Sequence, residues 1–147
     1  MKITICGSIA FIDDMLELKQ RLEKIGHKVK TPPSKIQDNN GNTIDVKDYY
    51  IKRKAASASE KEVWDMKEKA MLKHFEKVEW CDAILVLNIN KKDIKGYIGA
   101  NTLIEMGIAQ YLGKKIYLWN DIPNLPCAEE LLGMKPSIIN QNINLLN

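Results

Sequence analysis

The sequence predicts an α/β fold, a parallel sheet of four to five strands covered by helices on both faces, in a single domain spanning residues 1–147. Three observations predict it. Residues 2–6 alternate β-branched and other residues, residues 83–87 form an apolar run too brief for most helices, and each feeds a loop and then a helical pattern. Strands and helices alternate along the chain, the order that right-handed βαβ crossovers turn into a parallel sheet. And 147 residues, 45% of them hydrophobic and 28% charged, have the balance of one ordinary core.

Taken in order, Lys2 to Cys6 is a strand that meets Gly7-Ser8, the punctuation of a strand passing into a phosphate-sized loop. From Asp13 to Ile25 a helix places Met15, Leu18, Leu22 and Ile25 on one stripe, with acids at its start and Gly26 as its stop. Lys28 to Thr31 is a second strand, closed by Pro32-Pro33. Residues 34–58 lose the pattern and read as a long, mobile connection or lid. Ser59 and Glu62 have the spacing of a capping box for a helix running to about Glu79, with Val63, Met66, Ala70, Phe75 and Val78 facing the core. The third strand is Ala83 to Leu87, the fourth Lys115 to Trp119, and Ser137 to Ile139 is a marginal fifth after a short helix at Ala128 to Leu132.

Several function classes are excluded. The formal charge is +3, and basic and acidic residues stay near balance in each of the stretches 1–34, 35–80 and 81–147, so nothing marks a polymeric nucleic-acid partner. No apolar run approaches the roughly 18 residues of a membrane span, and three scattered cysteines, Cys6, Cys81 and Cys127, suggest a reducing, cytoplasmic setting. Neither a G-x-G-x-x-G nor a G-x-x-x-x-G-K motif is present, and His and Cys show no metal-ligand spacing, so no cofactor and no metal are expected. With 20 Lys to 2 Arg, any phosphate would rest on backbone N–H groups and Lys.

The stretch with most chemical promise is Gly99 to Lys115. It follows the third strand, so its leading loop falls at the carboxyl edge of the sheet, where open α/β folds bind ligands. Asn101 or Thr102 can cap its helix, Gly113 can end it in a left-handed turn, and Glu105 is its only acid. The helix dipole would keep that carboxylate ionised at neutral pH, suiting a nucleophile or a partner for a developing cation. His74, alone on the preceding helix, reads from spacing as a packing residue more readily than as a catalyst.

Together, Ile5-Cys6-Gly7-Ser8-Ile9, Gly26-His27-Lys28-Val29, Cys81-Asp82-Ala83-Ile84-Leu85-Val86, Glu105-Met106-Gly107-Ile108-Ala109 and Gly113-Lys114-Lys115 resemble the nucleoside 2-deoxyribosyltransferase superfamily. At the amino end the 2'-deoxynucleoside 5'-monophosphate N-glycosidases are the most similar members. The resemblance implies a flavodoxin-like doubly wound sheet, a homodimer, and a small-molecule nucleoside or nucleotide whose N-glycosidic bond is cleaved or exchanged. It implies Glu105 as the nucleophile, Gly7, Ser8 and Ile9 as a sugar or phosphate loop, and Gly99, Asn101 and Thr102 as further contacts. Three positions depart from the pattern: His74 stands where the family carries an aspartate, Gly99 where transferases often carry an acid, and Ala10 where the monophosphate hydrolases carry an arginine. On this reading His74, with an ordinary pKa near 6.5, gives the departing base its proton, and Tyr49 or Tyr50 closes over the base. Two alternatives remain: a phosphoribohydrolase, which Thr102-Leu103-Ile104-Glu105 also fits although Pro-Gly-Gly is missing before it, and a non-catalytic nucleotide-binding sensor.

Overall fold

The computed structural model describes residues 1–147. Its strands are β1 (Lys2–Cys6), β2 (Lys28–Lys30), β3 (Lys35–Gln37), β4 (Thr43–Asp45), β5 (Ala83–Val86), β6 (Lys115–Leu118) and β7 (Ser137–Ile138). Its helices are α1 (Ile12–Lys24), α2 (Val46–Ala55), α3 (Lys61–Trp80), α4 (Ala100–Tyr111) and α5 (Ala128–Met134). The main sheet runs β2-β1-β5-β6-β7 with every pairing parallel, the doubly wound order of flavodoxin-like folds.

Burial explains why β5 reads as an unbroken apolar run. Ile3, Ile5, Ala83 and Leu85 face one helical layer with Met15, Leu18 and Leu22 of α1, while Cys6, Ile84, Val86 and Leu118 face the other with Val78 of α3 and Met106 of α4. A strand covered on both faces has no polar side to show. Asn88 clamps the carboxyl edge, accepting the Asn120 N–H at 2.9 Å and donating to the carbonyls of Asn120 and Asp121.

Residues 34–58 are more regular than the sequence suggests. Strands β3 and β4 pair antiparallel, and the polar run between them is their turn: Asp38 accepts from the N–H groups of Asn40 and Asn42 at 2.9 and 2.8 Å. Asp45 then caps α2 by accepting from the Lys47 N–H. Tyr49, Val63 and Met66 form a small core of their own, and the Tyr49 hydroxyl donates to the Val63 carbonyl at 2.8 Å. Local side-chain hydrogen bonds build this segment, so hydrophobic periodicity could not reveal it.

Two helix starts also differ from expectation. Ser59 and Glu62 form no capping box; Glu60 precedes α3 and its carboxylate instead accepts the Ser57 N–H. Helix α4 begins after Gly99, with no side-chain cap, because Asn101 turns inward to Glu105. At the other end Gly113 holds φ +66°, the expected left-handed stop.

Candidate functional site

The strand order reverses at β1, between β2 and β5, and a cavity of ≈ 720 Å³ opens beside the carboxyl end of β1. Gly7 and Ile9 line it from the first strand's loop, Tyr49, Tyr50 and Arg53 from α2, Lys67 and His74 from α3, and Asn101 and Glu105 from α4. Gly7 is there for space: a Cβ would lie 3.1 Å from the Leu87 carbonyl oxygen and 2.8 Å from Met15 Cε.

Glu105 is only 3% exposed. Its Oε1 accepts from the Asn101 side-chain N–H at 2.6 Å, and Asn101 Oδ1 in turn accepts from Lys67 Nζ at 3.0 Å. Its Oε2 lies 3.8 Å from His74 Nε2, which in turn lies 3.5 Å from Cys6 Sγ. One side chain from each of β1 and α3 thus meets the glutamate of α4.

Burial governs the protonation of this group. It lifts Glu105 to about 7, against contrary pulls from Cys6, Lys67 and Asn101. The helix dipole alone would keep this carboxylate ionised at neutral pH, but desolvation outweighs it. Burial, helped by Lys77, lowers His74 to about 4, so the imidazole is neutral at pH 7 and holds no spare proton for a departing base. The ring sits this deep because it occupies the inward stripe of α3: Val63, Met66, Ala70, His74 and Val78 keep a three-to-four residue step, and Phe75 lies one place off it, half-buried. Burial likewise drops Lys67 to about 8, with Arg53 adding to the effect.

Ser8 caps the short turn at residues 9–11, accepting from the Ala10 N–H, and its hydroxyl also accepts from Lys91 Nζ at 3.0 Å. The same ammonium reaches the Tyr50 hydroxyl at 2.8 Å, fastening α2 across the loop. Tyr49 lines the cavity with its ring, its hydroxyl being engaged on α3. Thr102 is buried outside the cavity lining, and Gly99 is the residue before α4.

Sequence reasoning missed Lys67, Arg53 and Cys6. Charge counting could not find the first two because basic residues distant in sequence converge: Lys30, Lys35, Arg53, Lys67, Lys69, Lys73 and Lys77 line the cavity, against Glu76 and Glu105 alone. Cys6 reads as a small core residue, and it is one, yet its place at the last position of β1 points it at the glutamate.

In fold the chain is similar to a 2-deoxyribosyltransferase from the psychrotolerant bacterium Bacillus psychrosaccharolyticus, at 16% identity and a TM-score of 0.49, covering 80% of this chain and 71% of that one. It is similar also to the Clostridium botulinum CMP N-glycosidase BcmB, at 14% identity and a TM-score of 0.47, covering 94% of this chain and 85% of that one. No family model and no curated protein matches the chain.

Proposed function

We propose that this protein cleaves or exchanges the N-glycosidic bond of a nucleoside 5'-monophosphate. The observation that carries the reading is Glu105: one buried carboxyl, oriented by Asn101, lining a cavity at the sheet's switch point. The sequence resemblance names the same residue as nucleophile. The seven basic side chains around the cavity favour a phosphorylated substrate over a neutral nucleoside.

The chemistry follows the logic of retaining glycosidases. The ionised Glu105 carboxylate bonds to the anomeric carbon as the bond from that carbon to the base nitrogen breaks through an oxocarbenium-like transition state. Lys67, protonated below about 8 and tied to Glu105 through Asn101, delivers the proton to the departing nitrogen. Water, or a second base, then displaces Glu105 from the anomeric carbon, and its proton returns to Lys67. His74 stays neutral throughout and packs beside the carboxyl that Asn101 orients.

In this reading the segment at 34–58 walls the substrate in, with Tyr50 over it, and the protein works as a homodimer. Ile104, Tyr111 and Leu112 expose an apolar edge along α4 that suits such pairing. The aspartate-to-histidine change at His74 favours the sensor as second reading, since a neutral imidazole replaces an acid. Incubation with a panel of ribo- and deoxyribonucleosides and their 5'-monophosphates, with chromatography for free base, decides between them. Base released from a monophosphate supports the glycosidase; tight binding with no base released would establish the sensor instead. Light scattering during size exclusion gives the oligomeric state.

A further inference from the structure

The thiol of Cys6, the imidazole of His74 and the carboxylate of Glu105 offer ligand atoms that all lie within 4.8 Å of one another. Three bonds of about 2.3 Å to sulfur and about 2.0 to 2.2 Å to nitrogen and oxygen, set at the tetrahedral angle, hold their ligand atoms about 3.4 to 3.6 Å apart. The Sγ to Nε2 edge is 3.5 Å and the Nε2 to Oε2 edge 3.8 Å. Two of the three edges thus stand close to the spacing of one shared tetrahedral ion, and the third, from the thiol to the carboxylate, is within 4.8 Å, so a modest side-chain rotation of Cys6 or Glu105 would close the set on a single ion.

A second observation is independent of that spacing. Oε2 of Glu105 is buried with no hydrogen-bond partner, and so is Nδ1 of His74. A buried polar atom without a partner is destabilising and calls for an explanation, a bound ion being one. Asn101 satisfies Oε1 and leaves Oε2 free on the His74 side. His74 and Glu105 also line the cavity, which gives an ion its way in.

We infer that Cys6, His74 and Glu105 form a site for one zinc-like divalent ion, open to the cavity, and that the ion switches the protein off. A thiolate, an imidazole and a carboxylate are the donor set that zinc favours, and three protein ligands leave the fourth position to the cavity side. Binding releases the thiol proton, and any proton on Glu105, to solvent. The switch rests on the glycosidase reading, because coordination takes the carboxylate that must reach the anomeric carbon. The metal site does not rest on it.

The test uses the full chain, freed of metal, titrated with zinc alone by calorimetry and with cobalt by absorption spectroscopy. One ion per chain is expected, with a thiolate-to-cobalt charge-transfer band. Cys6→Ser and Cys6→Ala should lose that band and weaken zinc by more than the roughly 10- to 100-fold typical of an outer-shell ligand partner. Cys127→Ser should keep both. Circular dichroism reports whether each variant folds; if neither Cys6 variant does, Glu105→Gln should weaken zinc to a similar degree while retaining the thiol. No saturable binding, or binding of unchanged affinity in the folded variants, overturns the site. Base release is then followed during the same zinc titration. Inhibition with the midpoint of the binding curve supports the switch, and unchanged turnover with the site filled overturns it. Zinc bound by a protein that releases no base from any nucleotide upholds the site and defeats the glycosidase reading instead.

Discussion

Glu105 and His74 are displaced in opposite directions, and that makes a sharp prediction about stability. Glu105 rises from an ordinary 4.5 to about 7, and His74 falls from 6.5 to about 4. Each difference, about 2.5 pH units, is worth about 3 kcal/mol at 1.36 kcal/mol per unit. The raised carboxyl contributes stability that is fully present below pH 4.5 and lost as pH rises through 7. The depressed imidazole contributes stability that is fully present above pH 6.5 and lost as pH falls through 4. In the parent protein the two slopes cancel between pH 4.5 and 6.5. Glu105→Gln removes one of them, so relative to the parent its unfolding free energy should rise by about 3 kcal/mol from pH 4.5 to 7. His74→Gln should show the opposite, falling by about 3 kcal/mol relative to the parent from pH 4 to 6.5. Urea unfolding with a chelator present, at half-unit pH steps, gives both difference curves, and all other titrating groups drop out of the comparison. Two flat curves, or two of the same sign, would refute the claim that burial sets these protonation states.

Three further outcomes follow from the same geometry. Asn101→Ala removes the hydrogen bond that orients the Glu105 carboxyl; at about 1.5 to 3 kcal/mol for a bond to a charged group, kcat/KM for base release should fall roughly 10- to 150-fold, with a circular dichroism spectrum like the parent's. The pH profile of kcat/KM should rise as Glu105 ionises near 7 and fall as Lys67 loses its proton near 8, and Lys67→Met should abolish the alkaline limb while leaving the acid one. Leu22→Ala empties a fully buried position of α1 and should cost about 2 to 5 kcal/mol in equilibrium unfolding, without moving the pH profile of activity.

The parallel sheet was legible because its strands carry the pattern that burial on both faces demands, as Ala83 to Val86 show. Glu105 was legible for a different reason: it is the one acid on an otherwise uncharged α4, beside the edge where such sheets bind ligands. What periodicity could not show was structure made by polar contacts. Asp38 folds the hairpin turn and Asp45 starts α2, both through local hydrogen bonds to backbone N–H groups. Nor could sequence alone weigh burial against the helix dipole at Glu105, since that depends on how α3 lays His74 over it. The basic cavity was hidden for a similar reason: Lys30 on one side, and Arg53 and Lys77 on the other, come from two stretches, residues 1–34 and 35–80, whose charge is near balance.

Whether Glu105 cleaves a glycosidic bond in this cavity is read from the release of free base from a nucleoside 5'-monophosphate by metal-free protein. The parent chain should release base, and Glu105→Ala, bound to the same nucleotide with similar affinity, should be slower by roughly 10⁴-fold or more. Equal rates in the two proteins would take Glu105 out of the chemistry.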